Sequence, residues 1–265
     1  MPAIQIDRLK SQIQSILEPK FPPKIFLESL RSLMEAHANL AFRTTSESFQ
    51  KQGLESYQLS PLITNQLQLF FIQFAKANPD IALSYAEIIW NEPALEMKQM
   101  AGIFMSALPE AKIPEILERV IKWSGDTKDR TLRIIIFNES TKTIRDHGLS
   151  KWLDIISSWV NSGNPQLIVP AIQAIQVLIL DPKFENIPFV FNKISSISSF
   201  HNEKISNELS ELIQSLILRE PIETQFFVKS MLLSQPSPEL FRIIRRNLVY
   251  FSDEQQEKIR QIMKS

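Results

Sequence analysis

The chain has 265 residues, 44% hydrophobic and 22% charged, a globular balance that allows either one core or an elongated stack of units. Its 29 basic and 29 acidic residues cancel, which excludes a whole-molecule positive field, so any contact with nucleic acid has to come from a local patch. Cysteine is absent and the only histidines are His37, His147 and His201, which excludes disulfides and thiol catalysis and leaves no paired histidines for a metal.

The first residues, MPAIQIDRLKSQIQSILEPKF, lack the basic stretch and apolar block of a signal peptide. No apolar run reaches the roughly 18 residues that a spanning helix needs. A cytoplasmic protein with no membrane partner, no metal and no cofactor is expected. Five glycines are too few for the turns and bulges of a sheet-rich fold. Leu, Ile, Ala, Gln, Glu and Lys recur instead at spacings of three and four, the period of buried helix faces. The prolines fall mostly where such helices start and stop. Pro170, inside QLIVPAIQAI, is expected near the first turn of a helix or at a kink.

In chain order, residues 4–17 and 24–42 read as a first helical pair, and 62–76 as a helix after the LSPL turn. AEIIWNEPALEMKQMAGIF then climbs to Trp90, turns and starts again. Trp123 and Trp159 repeat the pattern, 33 and 36 residues further on. Seven residues before each tryptophan, on the same helix face, stand Leu83, Ile116 and Trp152. Each tryptophan is followed by a short turn rich in Asn, Ser, Gly, Asp or Pro, then by another apolar helix. A helical pair repeating about every 33–40 residues matches HEAT-type repeats, which bury their apolar faces only by stacking on neighbours. Trp90, Trp123 and Trp159 are assigned to the seam between the paired helices. Pairs over 187–200 with 203–218 and 222–234 with 238–250 follow, then an amphipathic helix from Asp253. KISSISSFHNEK, residues 193–204, reads as a polar connection. The expected architecture is all-α, an α-α superhelix in one HEAT-like domain over residues 1–265, with about six helical pairs.

Residues 57–105, with Trp90, Glu96, Lys98 and Ala101, resemble the N-terminal half of the bacterial DNA alkylation repair family, the HEAT-like alkylpurine DNA glycosylases. ETQFFVKSMLLSQPSPELFRIIRRNLVYFS, residues 223–252, resembles that family's last repeat. The resemblance implies a concave DNA-facing surface and a catalytic carboxylate that stabilises the cationic sugar as an alkylated base leaves. SGDTKD, residues 124–129, is the matching stretch. Asp129 falls on the catalytic carboxylate and Asp126 on the family's first Asp. Gly125 stands where the family has a Trp, Ile168 and Val169 stand at its paired Arg, and its last pocket Trp falls near Phe227 or Val228. The charge is kept, whereas the groups that position a nucleotide against it are replaced.

Each of these residues also has a plain structural reading. Asp126 and Asp129 suit helix N-caps. Lys128, Arg130, Arg133, Lys142, Arg145 and Lys151 form a basic excess that suits a phosphate-contacting stripe or a solvated face with ion pairs. Arg242, Arg245 and Arg246 share one helix face and suit phosphate gripping, or pairing with Glu254 or Glu257 over apolar neighbours. His147 suits a helix end with Gly148 just beyond it. Two functions remain open. One is a DNA alkylation repair-like protein that binds duplex DNA without sequence specificity, with weak or lost base excision. It would use Asp129 as its catalytic residue and Lys128, Arg130, Arg133, Arg242, Arg245 and Arg246 as DNA contacts. The other is a non-enzymatic scaffold for a protein partner.

Overall fold

Apolar residues at helical spacing bury one face of each segment, and proline and small polar residues set the ends. The structure, a computed structural model, describes residues 5–38, 55–198, 202–234 and 237–264. The protein is all-α. Among the described residues there is one isolated β-bridge, between Glu55 and Ala94, and no helix long and apolar enough to cross a membrane.

Cα proximity groups the chain into two compact units, Met1–Leu149 and Ser150–Ser265. Unit 1 contains α1 (Ile6–Ile16), α2 (Pro23–Ala36), α3 (Pro61–Ala77), α4 (Pro79–Trp90), α5 (Leu95–Ser106), α6 (Ile113–Asp126), α7 (Arg130–Ile135) and α8 (Lys142–His147). A π-helical turn, Ile136–Ser140, joins α7 to α8. Unit 2 is made of α9 (Leu149–Asn161), whose first residue still falls in unit 1, α10 (Pro165–Leu180), α11 (Ile187–Ile197), α12 (Glu203–Arg219), α13 (Pro221–Ser234), α14 (Pro238–Asn247) and α15 (Asp253–Lys264).

The helix starts follow from local chemistry. Pro23, Pro61, Pro79, Pro165, Pro221 and Pro238 each occupy the first helical position, where no intrahelical N–H is needed. Asp129, Asn164, Asn186, Asn202 and Ser237 accept hydrogen bonds from the first free amides of α7, α10, α11, α12 and α14. Several expected ends move. The helix expected over 24–42 stops at Ala36, and residues 39–42 lie outside the described residues. Lys193–Ile197 belong to α11 rather than to a polar connection. The final pair ends at Asn247 and passes into a 3-10 turn, Leu248–Tyr250. Pro170 is the sixth residue of α10, buried inside a helix that continues through it.

The core of unit 1 is aromatic. Phe26 of α2 stacks on Tyr85 of α4 with ring centres 3.9 Å apart, and Phe71 of α3 stacks on Phe104 of α5 at 4.3 Å. The Tyr85 hydroxyl donates to the Phe21 carbonyl at 2.9 Å, so the buried phenol keeps a partner. In α5, Gly102 sits where a Cβ would come within 2.8 Å of Glu139 Cβ in the π turn, so only glycine lets these two backbones approach. In unit 2, α10 is buried around most of its circumference and packs on α12. The Gln173 amide donates to Glu208 at 2.6 Å, and Asn247 of α14 donates to Ser210 of α12 at 2.8 Å. Arg219, the last residue of α12, donates to the carbonyls of Ile179 (2.6 Å), Asp181 (2.9 Å) and Phe184. One guanidinium thereby closes the C-terminal end of α10 and the turn after it.

Candidate functional site

The SGDTKD stretch spans a helix junction. Ser124, Gly125 and Asp126 are the last residues of α6, so that helix runs past Trp123 and Asp126 is no N-cap. Asp129 is the N-cap of α7, and its Oδ1 accepts from the Leu132 amide at 2.9 Å. The Asp129 amide in turn donates to Thr127 Oγ1 at 3.2 Å. A carboxylate in this position satisfies a free amide and complements the helix dipole.

Arg133 corrects the sequence reading of a DNA contact. It is 8% exposed. Its Nε donates to the Ser124 carbonyl at 3.0 Å and its Nη2 to the Thr127 carbonyl. These bonds hold the end of α6 and the turn leading to Asp129. Arg145 behaves similarly, its Nη1 donating to the carbonyls of Phe137 (2.9 Å) and Asn138 (3.1 Å) in the π turn. Lys128 and Arg130 are exposed on either side of the cap. Arg133→Ala is expected to lower stability by about 2–3 kcal/mol, because buried carbonyls lose charged donors. Asp129→Asn should stay within a few tenths of a kcal/mol and Asp129→Ala should cost about 1 kcal/mol. Denaturant unfolding of the three variants checks this order.

The tryptophans face one another rather than an open groove. Trp90 of α4 stacks on Trp123 of α6, centres 4.5 Å apart and planes within 11°. Trp159 lies edge-on to Trp152, its own neighbour on α9, at 5.6 Å. Lys98 of α5 holds its ammonium 4.7 Å above the Trp90 ring and donates to the Trp90 carbonyl at 2.7 Å. Burial lowers the Lys98 pKa, partly opposed by the Glu92 carboxylate. Glu87 bridges Arg119 and Lys122, both at 3.0 Å, and so ties α4 to α6 beside the stacked rings.

Sequence reasoning missed a strap over α5. Glu96, 7% exposed, accepts from Ser56 Oγ at 2.7 Å and from the amides of Tyr57 (3.1 Å) and Gln58 (2.9 Å). Gln58 has φ 54°, a conformation that non-glycine residues adopt at a cost. Nearby, Arg31 pairs with Glu92 at 2.7 Å. The detectable sequence signal was Glu96 itself, an acid among apolar residues in the first turn of α5.

The C-terminal arginines take partners other than those expected. Arg242 pairs with Glu239 at 3.0 Å, whereas Glu254 pairs with Lys258. Arg246 donates to Asn207 Oδ1 at 3.1 Å. Arg242 and Arg246 border a cavity of about 270 Å³ whose walls include Asn202, Asn207, Glu203 and Glu239, so two carboxylates balance the two guanidiniums. Arg245 is exposed on the same helix. In unit 1, His147 sits with Nδ1 3.9 Å from Glu110, beside a cavity of about 490 Å³ that Lys76, Lys142 and Asp146 also border. Gly148 has no left-handed backbone; a Cβ there would press to 3.0 Å from Ile113 Cδ1. Among the described residues no cluster of His, Asp and Glu could hold a metal ion.

Neither a family model nor a curated protein matches the chain.

Proposed function

We propose that the protein is a non-enzymatic helical-repeat interaction protein. The observation that carries this reading is that Asp129, Arg133 and the paired tryptophans are engaged within the fold. Asp129 caps α7, Arg133 is buried against two carbonyls, and Trp90 and Trp123 cover each other's faces. A catalytic carboxylate has to face substrate held against it, and the Trp90–Trp123 stack turns two aromatic faces onto each other instead. The zero net charge supports a protein partner over a polyanion.

Sequence-independent duplex DNA binding, with weak or lost base excision, is the second reading. The exposure of Lys128, Arg130, Arg242, Arg245 and Arg246 favours it. Fluorescence anisotropy with duplex DNA across a salt series separates the two. The interaction-protein reading expects no saturable binding at low salt. A phosphate-contacting surface would instead weaken with a log–log slope of about −0.9 per phosphate neutralised. That outcome would overturn the first reading and make release of alkylated purines, with Asp129→Asn as control, the next measurement.

A further inference from the structure

Helix α13 buries Thr224, Gln225, Val228, Met231 and Leu232 in unit 2, yet its other side carries an apolar row beside the exposed Glu223 and Ser230. Ile222, Phe226 and Leu233 are 60%, 64% and 68% exposed. With Lys229 they form a stripe confined to about 60° of the helix circumference. Three large apolar side chains in one exposed row are more than scattered surface hydrophobics explain.

The row also reads the same in both directions. Ile222, Phe226, Lys229 and Leu233 are spaced four, three and four residues apart. An antiparallel copy of α13, related by a two-fold axis at the midpoint of the row, therefore sets Ile222 opposite Leu233 and Phe226 opposite Lys229. Both pairs recur on the other side of the axis. The apolar ends meet apolar ends, and each ammonium meets the face of an aromatic ring. Glu254 stays close enough to Lys229 for the ammonium to help Lys258 hold its carboxyl below the usual range, so the lysine charge is balanced as the face is covered.

We infer that the exposed face of α13 binds a second copy of this chain, as an antiparallel, two-fold symmetric helix pair with Phe226 over Lys229 of the opposing copy. Isologous pairing of this kind requires a self-complementary patch, and the 4-3-4 spacing supplies one. A helix pair of this length is a small interface, so the affinity expected is in roughly the micromolar range.

Sedimentation equilibrium of the full chain over a concentration series tests the association. A reversible shift from the 30.6 kDa monomer toward twice that mass is expected. Phe226→Asp and Lys229→Glu should each weaken it at least tenfold while leaving the circular dichroism unchanged. Register is tested with thiols, because the chain has no cysteine of its own. Ile222→Cys protein mixed with Leu233→Cys protein should form disulfide-linked dimers under mild oxidation. Either protein alone should not, since like positions would lie roughly 16 Å apart along the pair. A monomer at every concentration, a dimer indifferent to Phe226→Asp, or cross-linking as strong in either single variant as in the mixture would each overturn the inference.

Discussion

Trp123→Ala is expected to destabilise unit 1 by about 4 kcal/mol, the largest single effect anticipated in the chain. The indole is buried between α4 and α6 and stacks on Trp90. Alanine would leave a cavity between the two helices, which the Glu87 bridges to Arg119 and Lys122 also join. The loss combines transferred apolar surface, the unfilled volume and the ring–ring interaction, the last worth about 1 kcal/mol. Trp123→Phe should recover most of it. Two indoles stacked this close couple their electronic transitions, so Trp90→Phe and Trp123→Phe should each remove the same far-ultraviolet circular dichroism contribution. Equilibrium unfolding in urea measures the first effect. A Trp123→Ala protein as stable as the parent would mean that the rings do not close this seam.

Glu96→Ala should cost about 3 kcal/mol. The substitution strands the Ser56 hydroxyl and the Tyr57 amide and leaves the Gln58 amide only its 3.2 Å bond to Ser56 Oγ, and each unmet part-buried donor costs about 1 kcal/mol or more. It also removes what holds Gln58 at positive φ. The consequence should be local before it is global. Hydrogen exchange at Tyr57 and Gln58 should accelerate far more than exchange in the aromatic core around Phe104. Glu96→Gln keeps two acceptor lone pairs and should lose less than half as much. Equal exchange rates in parent and Glu96→Ala protein would show that the strap is held by other contacts.

Much of the helical architecture is readable from the sequence because its signals are local. Helical apolar spacing and N1 prolines place most elements to within a few residues, and Asn202 and Ser237 mark starts that any chain would use. Helix ends are harder, because α6 runs through Ser-Gly-Asp once Arg133 supplies donors for its final carbonyls. That donor lies nine residues from Ser124 and is invisible to a turn rule. The same non-locality defeats the reading of Arg133 as a DNA contact. An arginine between threonine, leucine and isoleucine looks exposed until the packing of its own turn is known. Asp129 fits two descriptions in sequence, a cap and a catalytic carboxylate, and the Leu132 amide it accepts from supports the cap. The pairing of Trp90 with Trp123 follows from their spacing only in part. Spacing puts both near a helix junction, but their mutual stacking depends on α4 and α6 lying side by side.

Arg219 carries a consequence in time. The carbonyls it closes lie 40, 38 and 35 residues earlier in the chain. During synthesis, then, α10 leaves the ribosome with its C-terminal end unfinished and stays so until α12 has been made to its last residue. A truncation before Arg219 would remove the clasp from a helix whose own sequence is intact.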